Sequence, residues 1–302
     1  MINPLSPLIS LVKGSISPQD FELSGNLTPE HSNKMIDAIK DNSQFLQKVE
    51  MVKMSKLETE VDAYDIAEGI LVRVAEGLEP TEQQLTGVEN IGCKLKALPV
   101  QLFSNVKKSA IENNAFNIKF DEETFVRFMK RFSNELVYLG FAGESAEGIS
   151  FKTLNHGWLD IARTSDATNK ASYAANATVS DRLTALVRQI HEDVIGEASI
   201  IINPKDYQEY LLEIAKDTAT ASILLSATAK SFLGYPIEVQ NKIPQGTYLA
   251  TPLKNLAFGM CMDIFRSREW NNRKRVVEYT FDVACDYEII VKKWVTICEE
   301  IV

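Results

Sequence analysis

The side chains with the greatest chemical potential in this sequence are its histidines and cysteines. A histidine can act as a general base, and a cysteine thiolate can act as a nucleophile or bind zinc. No two cysteines have the C-x-x-C spacing of a zinc or redox motif, and "HED" at 191–193 is not the H-E-x-x-H of a zinc hydrolase. We therefore predict no catalytic, metal or cofactor site, and expect the cysteines to be buried, reduced thiols. The residues are His31, His156, His191, Cys93, Cys261, Cys285 and Cys298.

A glycine-containing stretch, "GFAGES" at 140–145, is the other candidate for ligand binding. It has two glycines but neither the lysine nor the spacing of a phosphate-binding loop. The sequence therefore predicts a protein that is not an enzyme.

The composition narrows the classes of partner. The 302 residues are 45% hydrophobic and 24% charged, which is typical of a soluble globular protein. The net charge of -9 argues against a surface that grips nucleic acid or an anionic membrane, because such binding needs clustered lysine and arginine. Enclosing DNA without adhering to it is compatible with this charge. No run reaches the roughly 18 apolar residues of a membrane span, and Pro4 and Pro7 interrupt the apolar start, so we predict no signal peptide.

The longest pattern in the chain is "VEYTFDVACDYEI", residues 277–289. Apolar residues alternate with mostly acidic or small ones over the whole stretch, which predicts one strand of about 43 Å with one apolar and one acidic face. Most strands are less than half as long. We expect "NLAFGMCMDIF" to pair with it in a hairpin, with Asn271 and Asn272 supplying the positive φ values of the turn.

Other stretches predict the elements around this strand. Residues 1–27 read as an extended arm, followed by a helix that is capped by Thr28 and continues through "MIDAIKDNSQFLQKV". Residues 50–98 read as a hairpin-like ribbon whose apolar residues either pack on another element or chain or belong to a flexible insertion. The region 151–250 alternates strands with helices, one capped near Ser180, and reads as a compact α+β unit.

A helix capped by Asp121 carries an apolar stripe, and a cluster of basic residues lies off that stripe. We expect the stripe to pack on the sheet, which is a simpler reading than a cofactor pocket. The stripe comprises Phe125, Phe128, Met129, Phe132, Leu136 and Leu139, and the basic residues are Arg127, Lys130 and Arg131.

In this order of parts the chain resembles the major capsid proteins of tailed phages with the Hong Kong 97 fold, and among them those of the P-two type. Three stretches carry the resemblance: "NKMIDAIKDNSQFLQKVEMVKMSKL" at 33–57, "NHGWLDIAR" at 155–163, and residues 246–289, from "GTYLATP" to the long strand. The matches span most of the chain in the expected order.

The resemblance implies an α+β capsid fold with an N-terminal arm and helix, an extended loop (the E-loop) that reaches over a neighbouring subunit, a peripheral domain with a spine helix, and an axial domain. It also implies a self-assembling icosahedral shell of pentamers and hexamers that encloses phage DNA without sequence-specific binding, as part of the virion, with assembly in the host cytoplasm. The implied ranges are 1–48 for the arm and helix, 49–98 for the E-loop, 99–150 and 251–302 for the peripheral domain, and 151–250 for the axial domain.

Two departures from that family shape the expectations. Many members carry a long N-terminal scaffolding segment, whereas fewer than about fifty residues precede the loop here, so we expect a separate scaffolding protein, along with a portal. The best-known representative also crosslinks its subunits through a lysine and an asparagine. Lys53 and Lys56 lie near the loop, but lysines on exposed ribbons usually serve solubility, so we predict no crosslink.

Two other functions fit parts of the sequence. An encapsulin-like compartment on the same fold would enclose a cargo enzyme, and a neighbouring gene for such a cargo would favour it over portal and terminase genes. An enzyme or ligand-binding protein working through 151–250 would need a pocket with perturbed titrating groups, which the sequence does not indicate.

Overall fold

A computed structural model of the chain describes residues 23–26, 29–66, 79, 88–113, 120–145, 148–216 and 230–300. The helices are α1 (Pro29–Asp41), α2 (Lys108–Asn113), α3 (Phe120–Ala142), α4 (Trp158–Thr164), α5 (Val179–Val187) and α6 (Pro204–Lys216). The strands are β1 (Leu23–Asn26), β2 (Glu50–Met54), β3 (Glu58–Val61), β4 (Tyr64–Ile66), β5 (Val88–Asn90), β6 (Cys93–Lys96), β7 (Leu98–Lys107), β8 (Asn169–Tyr173), β9 (Ser199–Ile202), β10 (Ser231–Phe232), β11 (Tyr235–Val239), β12 (Tyr248–Thr251), β13 (Leu256–Cys261), β14 (Phe265–Asn271), β15 (Val276–Ile289) and β16 (Thr296–Glu300). None of the described helices is long and apolar enough to cross a membrane.

The long strand β15 is the axis of the first sheet, which we call the platform sheet. One edge of β15 pairs with β14 and then with β13, and the other edge pairs antiparallel with β7 from Val276–Lys107 to Cys285–Leu98. β1 extends the sheet beyond β14, and β2 extends it beyond β13 in parallel. The long strand predicted from alternation is confirmed, and its apolar side faces the main core.

β7 was not predicted, although its ten residues cover most of the free edge of β15. Pro99 near its start and polar residues at Gln101 and Asn105 weaken its strand pattern, and half of its side chains are solvent-facing.

The residue that allows the hairpin turn between β14 and β15 differs from the prediction. Arg275, with φ of 54°, takes the left-handed conformation, while Asn271 Oδ1 accepts hydrogen bonds from the backbone of the turn.

Several predicted helix starts and ends shift by a few residues. α1 ends at Asp41 instead of continuing to Val49, and the following turns bury Phe45 and Leu46 in the main core. The predicted cap Thr28 and the arm up to residue 22 lie outside the described residues. Asp121 lies within the first turn of α3 rather than before it.

A second sheet, with strand order β10-β11-β9-β12-β16-β8, builds the unit that the sequence predicted at 151–250. Its core contains the buried residues of α5 and the inward residues of β9 and β12. β16 lies here between β12 and β8, so the range 251–302 predicted for the long hairpin extends too far. At the start of the range 151–250, Trp158 and Leu159 of α4 pack in the main core with the platform sheet.

The helix predicted near Ser180 begins one residue earlier, because Thr178 is its N-cap. Thr178 Oγ1 accepts a hydrogen bond from the Asp181 amide, and Asp181 closes the capping box. We expect Thr178→Ala to lower the free energy of unfolding by about 1 to 2 kcal/mol. The matched control is Thr184→Ala on the same helix, where the hydroxyl bonds only the carbonyl four residues back. Urea denaturation of both variants checks this, and equal losses would contradict the capping role.

Candidate assembly surfaces

The structure does not combine the candidate catalytic residues into a site. His31 lies within α1, His156 precedes α4, and His191 caps the short 3-10 helix Glu192–Val194. His156 Nδ1 lies 2.9 Å from Asp160 Oδ2. Within the described ranges, no group of three or more His, Cys, Asp or Glu side chains is placed to hold a metal ion.

The four cysteines are buried or half-buried, and the thiols of three of them are poor nucleophiles. Burial raises the pKa of Cys93 and of Cys285 to about 12, and the pKa of Cys298 to about 11. A thiol with so high a pKa remains protonated at neutral pH and is a poor nucleophile. The predicted burial is confirmed for Cys261, Cys285 and Cys298, whereas Cys93 is only half-buried.

The glycines of "GFAGES" serve close packing. A Cβ on Gly140 would collide with the ring of Trp158, and one on Gly143 would collide with the backbone of Asn155. Trp158 is fully buried and donates from Nε1 to the carbonyl of Ala257 at 2.9 Å, while Asn155 donates to the carbonyl of Cys285 at 2.8 Å. The stretch "NHGWLDIAR" thus fastens α4 to the end of α3 and to the platform sheet.

The long helix α3 packs along the apolar side of the platform sheet. Its stripe is buried at Met129, Phe132, Leu136 and Leu139, and the Tyr287 hydroxyl of β15 donates to the Leu136 carbonyl at 2.8 Å. Phe128 is half-buried, with its ring 5.9 Å from that of Tyr279; the side chain of Phe125 lies outside the described residues. The predicted stripe packs on the sheet, and the basic residues off it, Arg127, Lys130 and Arg131, are exposed.

The opposite side of the platform sheet holds the base of a narrow ribbon. β3 pairs with β6 and β4 pairs with β5, which gives two successive two-stranded segments running outward from the sheet. At the base, which we call the loop root (residues 93–97), Leu95 and Ala97 are buried against Met54 and Ala257. Leu57, whose carbonyl accepts a hydrogen bond from the Ala97 amide beside the root, is 59% exposed, and Tyr64, further out, is 69% exposed. The tip lies outside the described residues, and among the described residues of the ribbon only those at its root are buried.

An exposed two-stranded ribbon is marginally stable by itself. Its outer apolar side chains have no partner within the described chain that would bury them, whereas both sheets and the helices have cores of their own. Exposed apolar residues on an element without its own core can serve contacts with another molecule. The candidate assembly surface is therefore the ribbon.

No family model and no curated protein matches this sequence. Among solved structures, the chain is similar to a protein of the satellite phage P4 procapsid that includes the size determination protein, with a TM-score of 0.73, 15% identity, and coverage of 98% of this chain and 95% of that one. The capsid of an empty GTA particle matches with a TM-score of 0.60 and 14% identity over 100% of both chains. The encapsulin SrpI of Synechococcus elongatus matches with a TM-score of 0.55 and 10% identity over 86% of this chain and 88% of that one.

These matches cover almost the whole chain, so they concern the arrangement of both sheets, α3 and the ribbon together. At such low sequence identity they show a shared fold. The resemblance to the P-two type in particular is not tested by them. The chain has the α+β capsid fold of the Hong Kong 97 type, which phage capsid proteins share.

Proposed function

We propose that the chain is a major capsid protein that assembles into the icosahedral head shell enclosing phage DNA. The observation that carries this proposal is the ribbon with exposed Leu57 and Tyr64 on a fold whose solved relatives include phage and GTA capsids. Many weak contacts of this kind, repeated around a closed shell, add up to strong association. In this proposal the chain has a structural role without catalysis.

In this proposal, each part of the fold corresponds to one part of a capsid protein. Residues 1–48 form the arm and helix, 49–98 the loop that reaches a neighbour, 99–150 with the long hairpin the peripheral domain, and 151–250 with β16 the axial domain. β2 belongs to the platform sheet, so the reaching part begins after Met54. A separate scaffolding protein and a portal are the proposed assembly partners, and the virion is the proposed location, reached by assembly in the host cytoplasm.

The second candidate is an encapsulin-like compartment, because an encapsulin shares this fold over most of the chain. The two functions differ in what the shell encloses. The net charge of -9 suits either a genome held without adhesion or a protein cargo, so it does not separate them.

The test is to express the full chain, purify it and examine it by analytical ultracentrifugation and negative-stain electron microscopy, with and without the products of neighbouring genes. We expect closed or curved multimers. Nuclease-resistant DNA inside particles assembled in infected cells would support the phage capsid, and a single co-purifying cargo enzyme would support the compartment. Monomers alone at high concentration under all these conditions would overturn both.

A further inference from the structure

Two carboxylates lie beneath the loop root. Asp286 and Glu288 project from the same side of β15, and β6 passes over them. The backbone amide of Lys96 donates to Asp286 Oδ2 at 2.6 Å, a short hydrogen bond that joins residues 190 positions apart. This bond links the base of the ribbon directly to the platform sheet.

A cavity of about 390 Å³ adjoins the two carboxylates. Two lysines of β6, Lys94 and Lys96, line this cavity. His156, from the segment before α4, also lines it, and its Nδ1 atom lies within hydrogen-bond distance of Asp160. The turn after β15 contributes Lys292, whose Nζ atom lies 3.9 Å from Glu288 Oε1. On β13, the residue paired with Asp286 is Gly259, which carries no charge. The charged groups facing Asp286 from the elements around it are Lys94, Lys96, His156, Glu288 and Lys292.

We propose that Asp286 is a pH-dependent clasp, which holds the loop root closed on the platform sheet when it is protonated and loosens it when it is ionised. In the closed state the carboxylate is partly withdrawn from water and lies near the charge of Glu288. Opening the loop root rehydrates it. A protonated Asp286 avoids this desolvation and can still accept the Lys96 hydrogen bond through its carbonyl oxygen.

The direction follows from linkage. Burial raises the pKa of Asp286 from 3.8 to about 6, and Glu288 also raises it, while the Lys96 and Tyr287 amides and His156 act in the opposite direction. A carboxyl whose pKa is higher in the closed state favours closure when protonated, so closure weakens as the pH rises from about 4 to about 6 and is constant above that. With an ordinary pKa in the open state, the closed-to-open ratio should be about tenfold higher at about pH 5 than at about pH 8.

Hydrogen exchange of the full chain measures this ratio. The protection factor of the Lys96 amide, corrected for the intrinsic exchange rate, should rise about tenfold between about pH 8 and about pH 5. In Asp286→Asn, which has no titrating group at this position, most of the pH dependence should be lost, and the remainder should come from Glu288, whose pKa burial also raises. The matched control is Asp282→Asn, on the same face of β15 but bonded to Gln101, where the wild-type dependence should persist. A wild-type protection factor without pH dependence would overturn the clasp.

Two further variants test the mechanism even if Asp286→Asn does not fold. Glu288→Gln removes a charge that raises the pKa of Asp286, so the midpoint of the transition should move to lower pH. His156→Gln removes a group that lowers this pKa, so the midpoint should move to higher pH. A structural defect alone would not move the midpoint in opposite directions, and shifts of the same sign would overturn the proposal.

Discussion

Phe132→Ala should lower the free energy of unfolding by about 3 to 5 kcal/mol, as truncation of a fully buried phenylalanine does. Phe132 is 3% exposed at the middle of the stripe by which α3 lies along the platform sheet. Its removal leaves a cavity between α3 and β15. Neither element can move to fill this cavity, because other contacts fix the position of each. One of these is the hydrogen bond from Tyr287 to the Leu136 carbonyl. Chemical denaturation of the purified variant measures the loss, and insoluble protein is the expected outcome in cells.

Phe128→Ala is the matched control on the same helix. Phe128 is one turn earlier and only half-buried, with its ring against Tyr279, so its truncation should cost about half as much. The two variants delete the same atoms from the same element and differ mainly in burial. Equal losses, or a loss below about 0.5 kcal/mol for Phe132→Ala, would show that α3 does not pack on the sheet as described.

The sequence predicts those elements whose pattern is local. β15 was predicted because alternation over thirteen residues distinguishes an apolar face from an acidic one, and the stripe of α3 was predicted because its apolar residues recur at helical spacing. Both predictions needed only neighbouring residues. The helix ends were less certain, since Phe45 and Leu46 continue the apolar pattern of α1 while the backbone has already left the helix.

Long-range features were missed for a physical reason. β16 lies between β12 and β8, and nothing in its own five residues distinguishes this second sheet from the platform sheet. The alternation predicted the acidic face of β15, but it did not indicate that the loop root covers Asp286 and Glu288 on that face. Their burial depends on β6, whose Lys96 is 190 positions from Asp286, so no local pattern could indicate it.

Replacing residues 58–90 by a short Gly-Ser linker should separate folding from assembly. The change removes β3, β4 and β5 with exposed Tyr64, and leaves Leu95 and Ala97 in their small core at the loop root. The two main cores contain none of the described residues of the deleted stretch, and closing a loop of different length changes stability little. We therefore expect a folded monomer with nearly unchanged helix content by circular dichroism. Size-exclusion chromatography should show that shells no longer form.

Point variants make the same test without a deletion. Leu57→Asp and Tyr64→Asp each place a charge where the ribbon presents an exposed apolar side chain, so both should fold normally and assemble poorly, because a charge buried at a contact without a partner is costly. The control is Leu212→Asp on α6, which is 62% exposed, similar to Leu57, but lies outside the ribbon. Since the proposal assigns the inter-subunit contact to the ribbon, this control should assemble normally. An unfolded deletion variant would place the ribbon in the domain core, and intact shells from the deletion or from both ribbon point variants would show that assembly depends on another surface.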